Sequence, residues 1–489
     1  MVSPPNLEPT GPSNPMIIRR SCAHTRPRQA SPRWTALVIA TVLLPAGAVV
    51  AQDTPPASDL TEELAAATFD VVWSRIAETH FDPELGGLDW DGVRDELRPQ
   101  AVSANSMPEL RRVLRSMLDR LGESHFAILD GVAADALDSG GDPEAVGDAD
   151  PGVTLRLVEG RVLVSRLRPD SPALQAGVGE GWEVVRVGEL PVSELTLEIQ
   201  EALAAREDRD RLLPLYVPAA VEARLRGPSG TDVEVEFRDG ARQQHLFDLS
   251  RDEPGGTRVT FGNLGTIRVE VTSEAIPLST GSPDAGLIRL SSWFPVIVPA
   301  IAEAVDTHRQ ASGLIFDLRG NPGGVGGLVM GIAGHLFDES VHLGELTTRE
   351  STLRFAVNPQ RVGPDGSRVT PFAGPVAILV DGLSVSTSEI FAGGLQALGR
   401  ARIFGEPTPG QALPALIVSL PNGDRLMHAI ADFAAPDGTR LEGRGVLPDH
   451  SAPLTREALL EGRDPALQAA LAWIEGTARS DHPGTRTDP

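Results

Sequence analysis

Val376-Ala377-Ile378-Leu379-Val380-Asp381-Gly382-Leu383-Ser384-Val385-Ser386-Thr387-Ser388-Glu389-Ile390-Phe391-Ala392 is the stretch that decides the fold. Its opening apolar run fits a strand buried on both faces. The serine-rich segment after it reads as a turn, and Ser388 to Leu398 as a helix that stops near Gly399. Strand, turn and helix in that order make one unit of an α/β layer. Working outward, Gly313 to Leu318 is a second short apolar run that fits a buried strand. Asp464-Pro465 opens a last helix, as a cap followed by a first-turn proline, with Leu467, Leu471 and Ile474 as its apolar stripe. Residues 253–476 are therefore expected to be an α/β domain, and 477–489 a flexible tail.

Upstream the pattern changes twice. From Leu60 to about Leu129 it is helical. Ser106 with Glu109 three residues on forms a capping box, and Pro108 suits the first turn. Leu110, Val113, Leu114, Met117, Leu118 and Leu121 then share one face, and Gly122 offers a stop. Asp130 to Asp150 holds seven acidic residues and no basic one, which reads as a solvated linker. Residues 151–252 show short alternating strands, with Arg161 to Leu167 the plainest. A helical domain at 52–129 and a β-rich domain at 151–252 are thus expected ahead of the α/β domain.

The N-terminus reads as an export signal. Arg19, Arg20, Arg26, Arg28 and Arg33 precede the apolar run Ala36 to Val50, and Val49-Val50-Ala51 fits a cleavage site before Gln52. The run falls short of the roughly 20 apolar residues that span a bilayer. Residues 1–51 are expected to be a signal peptide, with Met1 or Met16 as start, and the mature chain to be periplasmic or secreted. Membrane contact is expected only through an uncleaved signal. The single cysteine, Cys22, lies before the run, so the mature chain carries no disulfide or thiolate metal site. A net charge of −24 argues against nucleic-acid binding, which needs a basic surface. The 43 Lys+Arg residues are all arginine, which rules out a Walker A loop and a Schiff base. No metal or organic cofactor is implied.

Ser386 is placed with its hydroxyl at a strand end and a helix N-terminus beside it. The N–H of Thr387 would face a developing oxyanion there. Taken alone, a serine-rich turn of this kind is more often a helix cap than a nucleophile. Two further segments accompany it: Asp317-Leu318-Arg319-Gly320-Asn321-Pro322-Gly323-Gly324 upstream, and Gly405-Glu406-Pro407-Thr408-Pro409-Gly410 downstream. In this order the three resemble the tail-specific, or C-terminal-processing, serine proteases. The resemblance implies a ClpP/crotonase-like catalytic domain, Ser386 as nucleophile, and Gly323 or Gly324 as the second oxyanion donor. Those enzymes usually activate serine with a downstream lysine, and Gln411 holds its place.

A different proton acceptor is therefore needed, and neutral histidine suits the task. Leu121-Gly122-Glu123-Ser124-His125-Phe126 resembles the Ser-His turn of the tricorn branch of the superfamily. Leu441-Glu442-Gly443-Arg444-Gly445-Val446-Leu447-Pro448-Asp449 resembles the segment that supplies its acidic residue. The resemblance implies His125 as base, with Ser124 and Glu442 completing a tetrad. His428 is the second choice for base, and His80 is read as structural. Asp170-Ser171-Pro172-Ala173-Leu174-Gln175-Ala176-Gly177-Val178 with the strands around it resembles a PDZ domain, which implies capture of a C-terminal tail. The expected activity is cleavage of protein or peptide substrates through an acyl-enzyme. A non-catalytic binding protein on the same fold and a hydrolase of non-peptide esters are the alternatives.

Overall fold

The computed structural model describes residues 60–129, 147–204, 206, 208–261, 264–279 and 283–480. The export signal, Cys22, most of the acidic stretch and the end of the tail lie outside them.

Three helices come first: α1 (Glu62–Thr79), α2 (Trp90–Val102) and α3 (Met107–Asp119). Ser106 caps α3 by accepting the Glu109 N–H at 3.4 Å, while the Glu109 carboxylate reaches back to the Asn105 N–H at 2.9 Å. Five members of the expected α3 stripe, Leu110, Val113, Leu114, Met117 and Leu118, are buried. Gly122 takes φ +68°, where a β-carbon is disfavoured. Helix does not continue to Leu129, because the chain becomes strand β1 (Ala127–Leu129).

The β-rich region contains β2 (Val153–Val158), β3 (Arg161–Leu167), α4 (Pro172–Gln175), β4 (Glu183–Val187), β5 (Leu190–Pro191), α5 (Val192–Ala202), α6 (Arg209–Leu225), β6 (Asp232–Arg238) and β7 (Gln244–Ser250). Its sheet order is β2-β3-β4-β6-β7, with β5 on β4. Helices α5 and α6 were not evident from the alternation in sequence. Pro214 and Pro218 lie inside α6 and argue locally against a helix. Burial of Val217, Val221 and Leu225 against Leu155 and Val235 overrides that preference.

A hairpin, β8 (Thr257–Phe261) and β9 (Leu264–Val269), leads into the last region. There follow β10 (Val271–Ile276), β11 (Ala285–Leu290), α7 (Val298–Thr307), β12 (Leu314–Asp317), α8 (Leu328–Ala333), β13 (Val341–Thr348), β14 (Thr352–Val357), β15 (Val376–Val380), α9 (Thr387–Ala397), β16 (Arg402–Gly405), β17 (Ala415–Ser419), β18 (Arg425–Ala429), β19 (Ala431–Ala434), β20 (His450–Ser451), α10 (Arg456–Leu460) and α11 (Pro465–Ser480). The helix α11 runs past the point where the tail was expected to begin. The central sheet has the order β10-β11-β12-β15-β16-β20 and is parallel except at β10–β11.

The continuous apolar runs have the physical basis that sequence suggested: both faces are covered. Leu314, Phe316 and Ile378 pack into the core that holds α7, α8 and α9. Ile315, Ala377, Leu379 and Phe404 face Ala466, Ala470 and Ile474 of α11. Each fully buried large apolar side chain contributes roughly 1.5–3 kcal/mol.

One pairing positions the site. Strand β1 joins the edge of β18, with Ala127 opposite Met427, in a small sheet ordered β1-β18-β17. Ile128, Leu420 and Leu426 share a core with the three N-terminal helices. The residues just before β1 are thereby delivered to the α/β region.

Candidate active site

Helix α9 is buried along most of its length, because Phe391 packs on Trp293 and Phe316. A β-carbon on Gly394 would lie 2.6 Å from the Leu343 carbonyl oxygen, so only glycine lets β13 come this close. Ser386 caps this helix with φ 57° and ψ −115°. Positive φ on a non-glycine residue stores roughly 1–3 kcal/mol of strain and is typical of a serine held at a sharp strand-to-helix turn. Among the described residues six non-glycines have positive φ, and His125 at 61° is another of them.

The three serines of the run differ in what they bond. Ser384 Oγ donates to the Leu318 carbonyl at 2.8 Å, and Ser388 Oγ donates to the Asn321 carbonyl at 3.1 Å while accepting from Trp293 Nε1 at 2.9 Å. Both are structural and fully buried. Ser386 stands between them, against the glycine turn: a β-carbon on Gly323 would lie 2.8 Å from Ser386 Cβ and 3.1 Å from the Thr387 nitrogen. The structure thus brings Ser386, Thr387 and Gly323 together. Gly323 N–H donates to Asn321 Oδ1 at 3.0 Å, so an oxyanion would share or replace that bond. Gly324 follows it, and its carbonyl accepts the Thr387 hydroxyl at 3.0 Å.

Two carboxylates connect this turn to the histidine. Glu389 is fully buried, and Oε1 accepts from Thr408 Oγ1 at 2.5 Å and Gly410 N at 2.8 Å. Its Oε2 accepts from Ser386 N at 3.1 Å and Gln411 N at 2.9 Å. Gln411 returns its carbonyl to Ser386 N at 2.9 Å. The next N–H, Ala412, donates to Glu442 Oε2 at 2.8 Å. Glu442 also accepts Ser124 N at 2.9 Å through Oε1 and Ser124 Oγ at 2.9 Å through Oε2. Ser124 Oγ lies 2.7 Å from His125 Nδ1. A continuous chain of main-chain and hydrogen bonds therefore runs from Ser386 through Gln411 and Ala412 to Glu442, Ser124 and His125.

Since Ser124 Oγ–H donates to Glu442, its oxygen is left to accept from His125 Nδ1–H. That leaves Nε2 as the basic nitrogen. Packing around the ring pulls the His125 pKa down to about 4, so the imidazole is neutral at neutral pH. Burial pushes Glu442 up, against the three hydrogen bonds that favour its charged form. Burial likewise raises Glu389, to about 7, and its four donors oppose the rise.

The two other histidines considered from sequence, His428 and His80, are placed elsewhere. His428 Nδ1 lies 3.2 Å from Thr79 Oγ1, so its ring turns toward α1. His80 follows α1, and its Nε2 bonds Glu123 Oε2 at 3.0 Å while Arg440 bonds the other Glu123 oxygen at 3.2 Å. This fixes the residue next to Ser124 and agrees with a structural reading of His80. Gln411 contributes main-chain bonds, and its side-chain nitrogen lies 3.5 Å from the Tyr216 hydroxyl. Sequence reasoning missed Asn321 and Glu389, whose polar groups are buried hubs. Among the described residues no three His, Cys, Asp or Glu side chains converge to hold a metal ion.

The edge of β2 bears on peptide capture. Leu155 N–H on this edge strand donates to Glu222 Oε1 of α6 at 3.0 Å. An incoming strand would have to displace that carboxylate to add there.

Residues 284–452 match the family described as Peptidase family S41, and residues 63–119 match the Tricorn protease C1 domain. The α/β region is thus similar to the S41 peptidases. The chain is a serine peptidase, similar over most of its length to carboxyl-terminal-processing enzymes. It is 25% identical over 427 residues to carboxyl-terminal-processing peptidase 2, chloroplastic, of Arabidopsis thaliana, covering 85% of this chain and 74% of the relative. It is 24% identical over 440 residues to a carboxyl-terminal-processing protease of Synechocystis, covering 88% and 91%. The fold resembles that of a photosystem II D1 C-terminal processing protease, with TM-score 0.53 and 21% identity over 85% of this chain and 98% of that one. Mature CPAF gives TM-score 0.56 at 13% identity, over 87% and 99%. With Gln411 in the lysine's place, the chain departs from the lysine pattern within a fold similar to that of these peptidases.

Proposed function

We propose that this chain is an exported endopeptidase in which Ser386 is the nucleophile and His125 its general base. His125 Nε2 takes the Ser386 proton as Oγ attacks a peptide carbonyl. Thr387 N–H and a glycine N–H, of Gly323 or Gly324, receive the oxyanion. His125 then returns the proton to the leaving amine, and a water molecule, deprotonated by the same nitrogen, hydrolyses the acyl-enzyme. Glu442 and Ser124 hold the imidazole in the tautomer this needs and stabilise the imidazolium.

The observation that carries this reading is the Glu442–Ser124–His125 hydrogen-bond chain, with Nδ1 engaged and the ring neutral. A decayed site on a binding protein has no reason to keep a buried carboxylate aimed at Ser124. The domain limits we propose are 52–129, 151–252 and 253–476, with 130–150 as linker. Protein C-terminal tails are the proposed substrates, after the relatives named for processing them. Among the described residues no helix is long and apolar enough to cross a membrane, and export rests on the signal at residues 1–51.

The test is a panel of tailed polypeptides, internal peptides and small esters, followed by intact-mass detection of an acyl-enzyme on Ser386. Cleavage of peptides with a trapped acyl adduct supports the proposal. Turnover of esters alone would favour the ester hydrolase. Mass spectrometry of the exported protein should find Gln52 as its first residue, and an intact signal would contradict export by cleavage.

A further inference from the structure

We propose that Arg156, on β2 of the β-rich region, is a positioning residue for the Ser386 reaction and acts through Asp381. This rests on the assignment of Ser386 as nucleophile.

Asp381 follows β15 and opens the nucleophile turn. Its Oδ1 accepts from Leu383 N at 3.0 Å and lies 3.2 Å from Ser384 Oγ, which itself accepts from Asp381 N at 3.0 Å, both within that turn. The same oxygen accepts from Gly320 N at 2.9 Å. Gly320 begins the segment that ends in Gly323 and Gly324. One carboxylate oxygen thus holds the nucleophile turn and the glycine turn at a fixed separation.

The other oxygen, Oδ2, accepts from Arg156 Nε at 2.7 Å. Arg156 is itself held, with Nη1 donating to the Leu155 carbonyl at 2.8 Å. Gly320 has φ +76°, and a β-carbon there would lie 2.5 Å from Arg156 Nη2. The guanidinium therefore occupies the space that any side chain at position 320 would need. The side chains of Arg156 and Asp381 are 14% and 10% exposed, so solvent screens the pair weakly.

The charge is needed because of a second carboxylate. Arg156, Asp381 and Glu406 line one cavity of about 180 Å³, together with Glu180, Asp464, Arg166, Arg289, Arg319 and Arg463, but Arg156 is the guanidinium bonded to Asp381. Glu406 is pushed up by burial and by the negative charge of Asp381. Without Arg156, two carboxylates face one cavity with less counter-charge. Asp381 would relieve this by protonation or by turning toward water, and either change loosens Gly320 N and Leu383 N. A shift of about 1 Å between nucleophile and oxyanion donors can cost roughly 10²-fold in rate.

The experiment uses the full mature chain with Arg156→Met, Arg156→Lys, Asp381→Asn and the Arg156→Met/Asp381→Asn pair. Acylation by a fluorophosphonate and steady-state kcat and KM on a cleaved peptide are read together with thermal melting. The expected result is a loss of about 10²-fold in kcat and in acylation for Arg156→Met, with KM little changed. Arg156→Lys should recover part of the loss, and the pair should be no worse than its worse member. Should Arg156→Met not fold, Asp381→Asn carries the same comparison, since Asn keeps the Oδ1 acceptor and loses the charge. Acylation at the wild-type rate in Arg156→Met and Asp381→Asn would overturn the proposal. So would losses that follow melting alone and that lysine does not repair. Ser386→Ala separates the two claims. Labelling that survives in it overturns the nucleophile assignment, whereas labelling that needs Ser386 but ignores Arg156 overturns only this proposal.

Discussion

Replacing Glu442 by glutamine changes one atom and should disable the base. Three donors converge on the carboxylate: Ser124 N, Ser124 Oγ and Ala412 N. Glutamine offers one oxygen and an NH2 group in their place. If the nitrogen takes the Oε1 position, it faces the Ser124 N–H, and one buried donor goes unmet at a cost of about 1–3 kcal/mol. If it takes the Oε2 position, it faces the Ala412 N–H and donates to Ser124 Oγ. The Ser124 hydroxyl then turns its hydrogen toward His125 Nδ1. That puts the imidazole proton on Nε2, the nitrogen that must accept from Ser386. A comparable tautomer error in a Ser-His-Asp triad costs about 10⁴-fold in kcat. The expected loss for Glu442→Gln is therefore about 10³–10⁴-fold in acylation. KM should change little, and the melting point should fall only modestly. Stopped-flow acylation by a fluorophosphonate, with circular dichroism to confirm folding, measures this. A folded Glu442→Gln protein that acylates at the wild-type rate would refute the tautomer reasoning.

Three other outcomes follow from the same geometry. The base requires neutral His125 and ionised Glu442, so kcat/KM should fall with acid at a pH set by the raised Glu442 pKa, with His125 titrating lower, at about 4; an NMR titration of the imidazole that placed His125 near 6.5 would contradict the packing around the ring. Glu389 has a folded pKa of about 7 against an unfolded value near 4.5, so it takes up a proton on folding between them. Its contribution of about 3 kcal/mol is present below pH 4.5 and lost as pH rises through 7; urea midpoints from pH 4.5 to 8 should show this slope in wild type and lack it in Glu389→Gln. Gly323→Ala should abolish acylation while the protein folds, because its β-carbon would press on Ser386 Cβ at 2.8 Å in a backbone with φ +93°; a normal acylation rate would separate that turn from the chemistry.

What was legible in the sequence was local. The run Val376 to Val380 and the stop at Gly399 mark one strand and one helix, because burial on both faces and a positive-φ glycine leave sequence signals. The Ser106 cap and the α3 stripe are of the same kind. Helix α6 was illegible, since its two prolines speak against it and tertiary packing, with Leu155 and Val235 among its partners, stabilises it. The placement of His125 depended on resemblance, because it arises from β1 pairing with β18 across most of the chain. Asn321, Glu389 and Asp381 escaped notice for a shared reason. Each acts by accepting or donating to main-chain groups of another loop, and such partners have no residue-type signature. The nucleophile could be singled out among three serines only once the bonds of Ser384 and Ser388 were known.

The central claim, a serine activated by histidine in a protein with no lysine, is tested most directly by fluorophosphonate labelling of the mature chain beside Ser386→Ala and His125→Ala. The account predicts a labelled wild type, with the adduct mapped to Ser386, and no labelling in either variant. Undiminished labelling of folded His125→Ala, or an unlabelled wild type that still cleaves peptides, would contradict it.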